Sequence, residues 1–202
     1  MHRPRGLGAV VFLAGTGSLA TEIAASRLLA PAFGSSTIVW ANLIGVVLAA
    51  LAVGYWLGGK VADRRPDPAL LGRIVLLAAL LVAATPFLAK PLLEIAVSAV
   101  DDARAGAVVA SFAAVVLLFA PPVVLLGAVS PFAIRLAIDD LATAGSVAGR
   151  LYALSTAGSL LGTFVPALIT IPLLGTQRTL LCAGTLLALA SVPRSDPAVA
   201  SA

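Results

Sequence analysis

The chain has 202 residues, of which 60% are hydrophobic and only 11% charged, with a mean hydropathy of +1.09. Soluble domains carry roughly 25% charged residues, so the composition argues against a water-soluble fold and for an all-α polytopic membrane protein. The formal charge of +4 would suggest nucleic acid in a soluble protein. Here the basic residues gather at segment ends, where they set topology and meet anionic lipid, so the expected partner is the bilayer and not nucleic acid.

A membrane-spanning helix needs about 20 apolar residues, and six segments are expected to supply one. MHRPR before an apolar run has the look of a secretory leader. The run outlasts a leader's core, however, and a retained first span over 7–30 is expected, ending before Pro31. A turn of small residues leads to the second span, 37–58, with Trp40 near its start. A short charged hinge then carries Lys60, Asp63, Arg64 and Arg65. The third span covers 70–89, and Pro86 is expected to kink its end. Residues 91–104, PLLEIAVSAVDDAR, read as an interfacial helix and a loop. The fourth span, 105–136, is too long to stand upright, and Pro121-Pro122 is expected to bend it. After a polar loop from Asp139 to Ser146, the fifth span covers 148–172 and the sixth 177–192. The domain is expected to occupy 1–194, with 195–202 a disordered tail.

Six spans put both termini on one side. With the termini in the cytoplasm, the inner side holds Arg3, Arg5, Lys60, Arg64, Arg65, Arg73, Arg135, Arg150 and Arg194. The outer side holds only Arg27, Lys90, Arg104 and Arg178. That bias favours cytoplasmic termini. There is no strong internal repeat; segments one to three and four to six share only a loose pattern of a polar-marked, a glycine-rich and a plain apolar helix, a three-plus-three symmetry that occurs within transporter halves.

One histidine and one cysteine, His2 and Cys182, give almost no raw material for a metal site or for nucleophilic catalysis. No catalytic residue, metal or cofactor is expected. The residue that stands out is Glu22, in the middle of the first span, where an ionisable group normally faces a cavity, a partner or a water path. Ser18 lies four residues before it on the same helical face. Arg27 lies five residues on, about 140° round the helix. Three readings of Glu22 stay open: a substrate or proton site with Ser18, Asn42 and Arg27 near it, a buried acid paired with another helix or with Arg27 through bending, or a tolerated neutral carboxyl. Gly45, Ala49 and Ala52 make a small-residue face on the second span. Tyr152, Ser155, Ser159 and Thr163 make a polar stripe on the fifth, beside Gly158 and Gly162. Such faces let helices approach closely, and Gly45, Ala49, Ser155, Gly158 and Gly162 are the expected dimer interface.

Gly59-x-x-x-Asp63-Arg64 resembles the signature between the second and third helices of major facilitator transporters. The longer string EIAASRLLAPAFGSSTIVWANLIGVVLAALAVGYWLGGKVADRRP (Glu22–Pro66) resembles the membrane domain that precedes spermidine synthase in fused bacterial proteins. GAVSPFAIRLAIDD and AGRLYALSTAGSLLGTFVPALITIPLLGTQRTLL (Gly127–Asp140 and Ala148–Leu181) resemble its later part. That domain is similar to one six-helix half of a major facilitator. The resemblance implies a bacterial inner-membrane location and a six-helix bundle with spans one and four along a cavity. Spans two and five would lie between halves, with a gating hinge at Gly59, Asp63 and Arg64 that Arg135 or Arg150 would engage. It implies a homodimer working as a half-size secondary transporter, for a cationic substrate such as a polyamine, proton-coupled through Glu22. The alternative is a non-transporting anchor or regulator of a separate aminopropyltransferase. The 202 residues contain no glycine-rich nucleotide loop and no acidic catalytic pair, so the synthase activity does not come with the resemblance.

Overall fold

The computed structural model describes residues 6–34, 36–98 and 104–191, and the described residues are helical apart from short turns. The helices are α1 (Leu7–Phe33), α2 (Thr37–Arg64), α3 (Pro68–Ser98), α4 (Arg104–Ala137), α5 (Ala144–Val165), α6 (Ile171–Leu174) and α7 (Thr176–Ser191). A 3₁₀ turn, Leu141–Thr143, leads into α5, and a π-helical turn, Pro166–Thr170, joins α5 to α6. The stretch Leu141–Leu174 therefore forms one long rod. This rod and α1 to α4 are long and apolar enough to cross a membrane. The 16 residues of α7 would reach only about 24 Å at 1.5 Å per residue, short of a core about 30 Å thick. By length and composition five of the six main helices suffice to cross, and α7, described as far as Ser191, is the shorter sixth.

The other boundaries move for local reasons. α1 runs through Pro31 and stops at Gly34, whose φ of 73° ends the helix. α2 continues to Arg64, so Lys60, Asp63 and Arg64 stand on its last turns and the loop is only 65–67. Hydropathy ends at Leu57, but nothing breaks the backbone until Pro66, and basic groups favour a helix C-terminus. Lys60 lies over the Trp56 ring one turn back, 3.9 Å from its centre. The expected interfacial helix after residue 90 is not separate: α3 passes through Pro86 and Pro91 to Ser98. Prolines are tolerated in membrane helices because neighbouring groups take up the freed carbonyls. Asp101, Asp102 and the tail 195–202 lie outside the described residues.

The turns differ between the two ends of the bundle. At one end, Asp67 Oδ1 accepts from the Ala69 amide at 2.9 Å, and Asp140 Oδ1 accepts from the Ala142 amide at 3.0 Å. At the other, Gly34 and Gly175 (φ 82°) make the turns.

α1 lies along α5, α2 along α4, and α3 along α7, while α3 also packs on α4 and α1 on α7 and α4. The seams are made by backbone meeting backbone. In the α1–α5 seam, Gly158 meets the Phe12 carbonyl, Gly162 the Thr16 carbonyl, and Gly15 the Ser155 carbonyl. In the α2–α4 seam, Gly54 meets the Val124 carbonyl, Gly58 meets Ala128, and Gly127 meets Leu51. Phe12–Gly158 and Thr16–Gly162 step forward together, as do Gly54–Val124 and Gly58–Ala128, so each pair of helices is parallel. In the antiparallel α3–α7 seam, a Cβ at Gly72 would lie 2.7 Å from the Ser191 carbonyl, and one at Gly184 would lie 2.9 Å from the Ala79 carbonyl.

These contacts repeat in one register. Exchanging α1, α2 and α3 for α4, α5 and α7 carries Gly15 onto Gly127, Gly54 onto Gly158, Gly58 onto Gly162, and Gly72 onto Gly184. Their contact partners exchange with them. Because each repeat holds three antiparallel helices, the two repeats have opposite direction, as in inverted repeats. Phe132, Leu71, Val75, Leu180 and Leu187 fill the core between α3, α4 and α7, and Phe119, Leu29 and Leu43 fill the one between α1, α2 and α4.

This topology predicts a labelling pattern. In a Cys182→Ser background, Arg65→Cys and Ala142→Cys are expected to react with an impermeant thiol reagent from one side. Ser36→Cys and Gln177→Cys are expected to react only from the other. Labelling of Arg65→Cys and Ser36→Cys from the same side would overturn the arrangement.

Candidate functional site

A small cleft of about 60 Å³ lies between α1, α2, α4 and α5. Gly15, Ser18, Gly127 and Ser130 line it from α1 and α4, with Leu51 and Tyr55 from α2 and Ser155 and Ser159 from α5. The register that relates the repeats exchanges these residues in pairs: Gly15 with Gly127, Ser18 with Ser130, Leu51 with Ser155, and Tyr55 with Ser159. The cleft therefore sits where the two repeats meet.

Many of the helical hydroxyls are satisfied within their own helix. Thr16, Thr21, Ser26, Thr85, Thr156, Thr163, Thr179, Thr185 and Ser191 each donate to a carbonyl three or four residues back. That local bond is the usual way for a hydroxyl to be satisfied inside a helix. Ser159 Oγ instead reaches across to the Gly15 carbonyl at 3.4 Å. Ser18, Ser130 and Ser155 make no such bond among the described residues, and none of these hydroxyls is both buried and unsatisfied. All three open into the cleft.

Glu22 is half-buried one turn beyond Ser18 on α1, on the same face. Among the described residues no cation pairs with it. Arg27 is exposed and forms no ion pair with it, which removes the reading of a Glu22–Arg27 pair. Asn42 is not part of this group. Its Nδ2 donates to Ser111 Oγ at 3.1 Å and ties α2 to α4 elsewhere along their seam.

At the Asp-capped end, Arg135 Nε contacts Asp63 Oδ1 at 3.2 Å. The last turns of α2 and α4 bring the two together, and Arg150, exposed on α5, does not reach Asp63. Both partners are open to solvent, at 47% and 72% exposure, and exposed pairs contribute about 0–1 kcal/mol. A double-mutant cycle of Asp63→Asn and Arg135→Gln is therefore expected to give a coupling below about 1 kcal/mol that shrinks with salt. A coupling of several kcal/mol in thermal unfolding would show a pair shielded from water. Gly59 has open space beside it. It is the neighbouring Gly58 that packing demands.

Two residues expected at a dimer interface are occupied within the chain. Gly158 and Gly162 are buried against the α1 backbone, and Ser155 lines the cleft. Gly45 and Ala49 remain exposed. Sequence reasoning passed over Ser130 and Tyr55. Setting Gly15-x-x-Ser18 against Gly127-x-x-Ser130 would have revealed the serine, whereas Tyr55 carries no such mark.

Two larger clefts have different character. One of about 540 Å³ lies between α1, α3 and the start of α7, apolar except for Lys90, Glu94 and Gln177 at its edge. One of about 260 Å³ lies beside the π turn and is almost wholly apolar. There, Thr179 Oγ1 lies 3.1 Å from Thr170 Oγ1. The first carries charged groups in its lining and the second carries none. Compared with known proteins, the chain matches no family model, no curated protein and no solved structure.

Proposed function

We propose that this chain is half of a secondary-transporter-like membrane protein and that it works as a homodimer on a cationic substrate. Glu22 would be its intramembrane acid, carrying a coupled proton, and the Asp63–Arg135 pair would act at the gate. The observation that carries the reading is the junction of two inverted repeats at a polar cleft, the place where transporters of that architecture hold substrate. A cleft this small is open on one side, and a second copy would enlarge and enclose it.

The exposed small residues left for such a pairing are Gly45, Ala49 and Ala52 on α2. In the same register, Gly149, Ala153 and Thr156 stand on α5. Close approach of small residues is what drives helix association in lipid. The acid and the absence of basic lining favour a cation, and the resemblance to the synthase-linked membrane domain makes polyamines the first candidates. It also places the protein in a bacterial inner membrane with cytoplasmic termini.

The test is uptake of labelled polyamines and simple cations into proteoliposomes holding only this chain. Substrate-dependent, saturable flux supports transport. A protein that moves none of them, yet retains an aminopropyltransferase on membranes, would favour the anchoring alternative.

A further inference from the structure

We infer that the large cleft between α1, α3 and the start of α7 is a binding site for a phospholipid with an ethanolamine headgroup. The inference rests on the helices crossing a membrane and is independent of the transport reading. At about 540 Å³ this cleft is the largest of the three described above, and it is open, not enclosed. Leu28 and Ala32 of α1 form one wall, and Pro86 and Ala89 of α3 form the other. Its polar groups are Lys90 and Glu94 of α3 and Gln177 of α7. Depth separates the two kinds of lining. Counted from Pro68, where α3 starts, Pro86 lies about 27 Å along the helix, Lys90 about 33 Å and Glu94 about 39 Å, at about 1.5 Å per residue. A hydrocarbon core is about 30 Å thick, so the apolar wall begins inside it while both charges stand at headgroup level. An amphiphile is divided in the same way.

Opposite charges four residues apart on a helix are neighbours and commonly pair. Lys90 and Glu94 do not. Among the described residues neither forms an ion pair, with the other or with a third group. Both are exposed and both line the same cleft. They present a positive and a negative group about 6 Å apart along the helix axis. A zwitterionic headgroup offers the complementary pair, a phosphate and an ammonium joined by two carbons. Lys90 Nζ can donate to the phosphate, and the Glu94 carboxylate can accept from the ammonium, both as charge-assisted bonds. The Gln177 amide can donate to a phosphate or ester oxygen. Glu94 then decides which headgroup fits. An ethanolamine ammonium carries N–H donors, whereas the quaternary ammonium of choline carries none. A glycerol headgroup brings no cation to Glu94 and leaves a net negative charge beside it. Arg27 and Arg178 would favour such an anionic lipid, but they stand outside the lining.

Native mass spectrometry of the detergent-purified chain, titrated with phosphatidylethanolamine, phosphatidylcholine or phosphatidylglycerol, tests the site directly. Thermal unfolding in nanodiscs of phosphatidylcholine, with or without phosphatidylethanolamine, is a second readout. Saturable retention of one phosphatidylethanolamine per chain is expected, tighter than either other lipid, with a higher melting temperature in the mixed nanodiscs. Glu94→Gln is expected to weaken that retention about tenfold, as loss of one hydrogen bond to a charged group would, and to erase the preference over phosphatidylcholine. Lys90→Gln should weaken retention of both zwitterionic lipids, since both offer a phosphate. Arg178→Gln, an exposed charge at the same end but outside the lining, should change neither. A phosphatidylethanolamine with a photoreactive acyl chain is expected to label the segments 28–32 and 86–93. No saturable retention, equal retention of the three lipids, a preference for phosphatidylglycerol, or an unchanged preference in Glu94→Gln would each overturn the site. Lipid retention without polyamine flux would keep this inference and sink the transport reading, while flux without selective retention would do the reverse.

Discussion

Gly158→Ala is expected to lower the thermal stability of the single chain sharply, by about 3 kcal/mol or more. A methyl group at residue 158 would fall on the Phe12 carbonyl, and the obstacle is backbone, not the end of a flexible side chain. Relief requires α1 and α5 to separate, which would also loosen Gly162 from Thr16 and Gly15 from Ser155 in the same seam. Overpacking in a closed interior typically costs about 1–3 kcal/mol, and three shared contacts push this case to the upper end or past it. By the internal register, Gly54→Ala should do the same to the α2–α4 seam through the Val124 carbonyl. Gly45→Ala is the control, because nothing lies within 4 Å of a Cβ built there. Alanine is also the better helix former by about 1 kcal/mol, so that variant should hold or gain stability. Thermal unfolding followed by size exclusion in mild detergent reads all three. A Gly158→Ala chain that melts like the wild type while only its dimer dissociates would return Gly158 to the surface between copies.

The contrast between Gly158 and Gly45 also marks the limit of what the sequence could tell. Hydropathy located the long helices, since burying a backbone in lipid leaves few alternatives to a helix. It misplaced their ends, because apolar character and helical hydrogen bonding stop at different residues. Leu57 ends the apolar run of α2, yet Arg64 ends the helix. Small residues were visible as faces, but spacing alone could not say which face met a helix of the same chain. Gly158 and Gly45 look alike on a helical wheel, and one is sealed while the other is bare. The cleft was half legible. Ser18 and Glu22 were marked by their depth, whereas Ser130 gained meaning only when the two repeats were set in register. The ion pair was foreseen as a choice between Arg135 and Arg150 for Asp63. Only the packing of α2 along α4, and not along α5, decided it.

Glu22→Gln is expected to make the protein more stable and less active at once. A carboxylate at mid-membrane costs about 2.5–3.5 kcal/mol on insertion scales, and among the described residues Glu22 has no cation to offset this. Glutamine keeps the shape, removes the charge and lowers that cost, so the melting temperature in detergent or nanodiscs should rise. If Glu22 draws a cationic substrate or a coupled proton into the cleft, the same change removes the attraction. A loss of about 1.4 kcal/mol in that attraction is a tenfold loss in affinity, so uptake into proteoliposomes should fall at least tenfold. Glu22→Asp keeps the charge but retracts it by one methylene, and it should retain part of the uptake. A residue that merely holds two helices together behaves in the opposite way, losing stability first and activity as a consequence. Opposed signs in the two measurements would therefore assign Glu22 to function, since retaining a costly group is characteristic of a working site. A Glu22→Gln protein that is less stable than the wild type and transports normally once folded would assign the acid to structure.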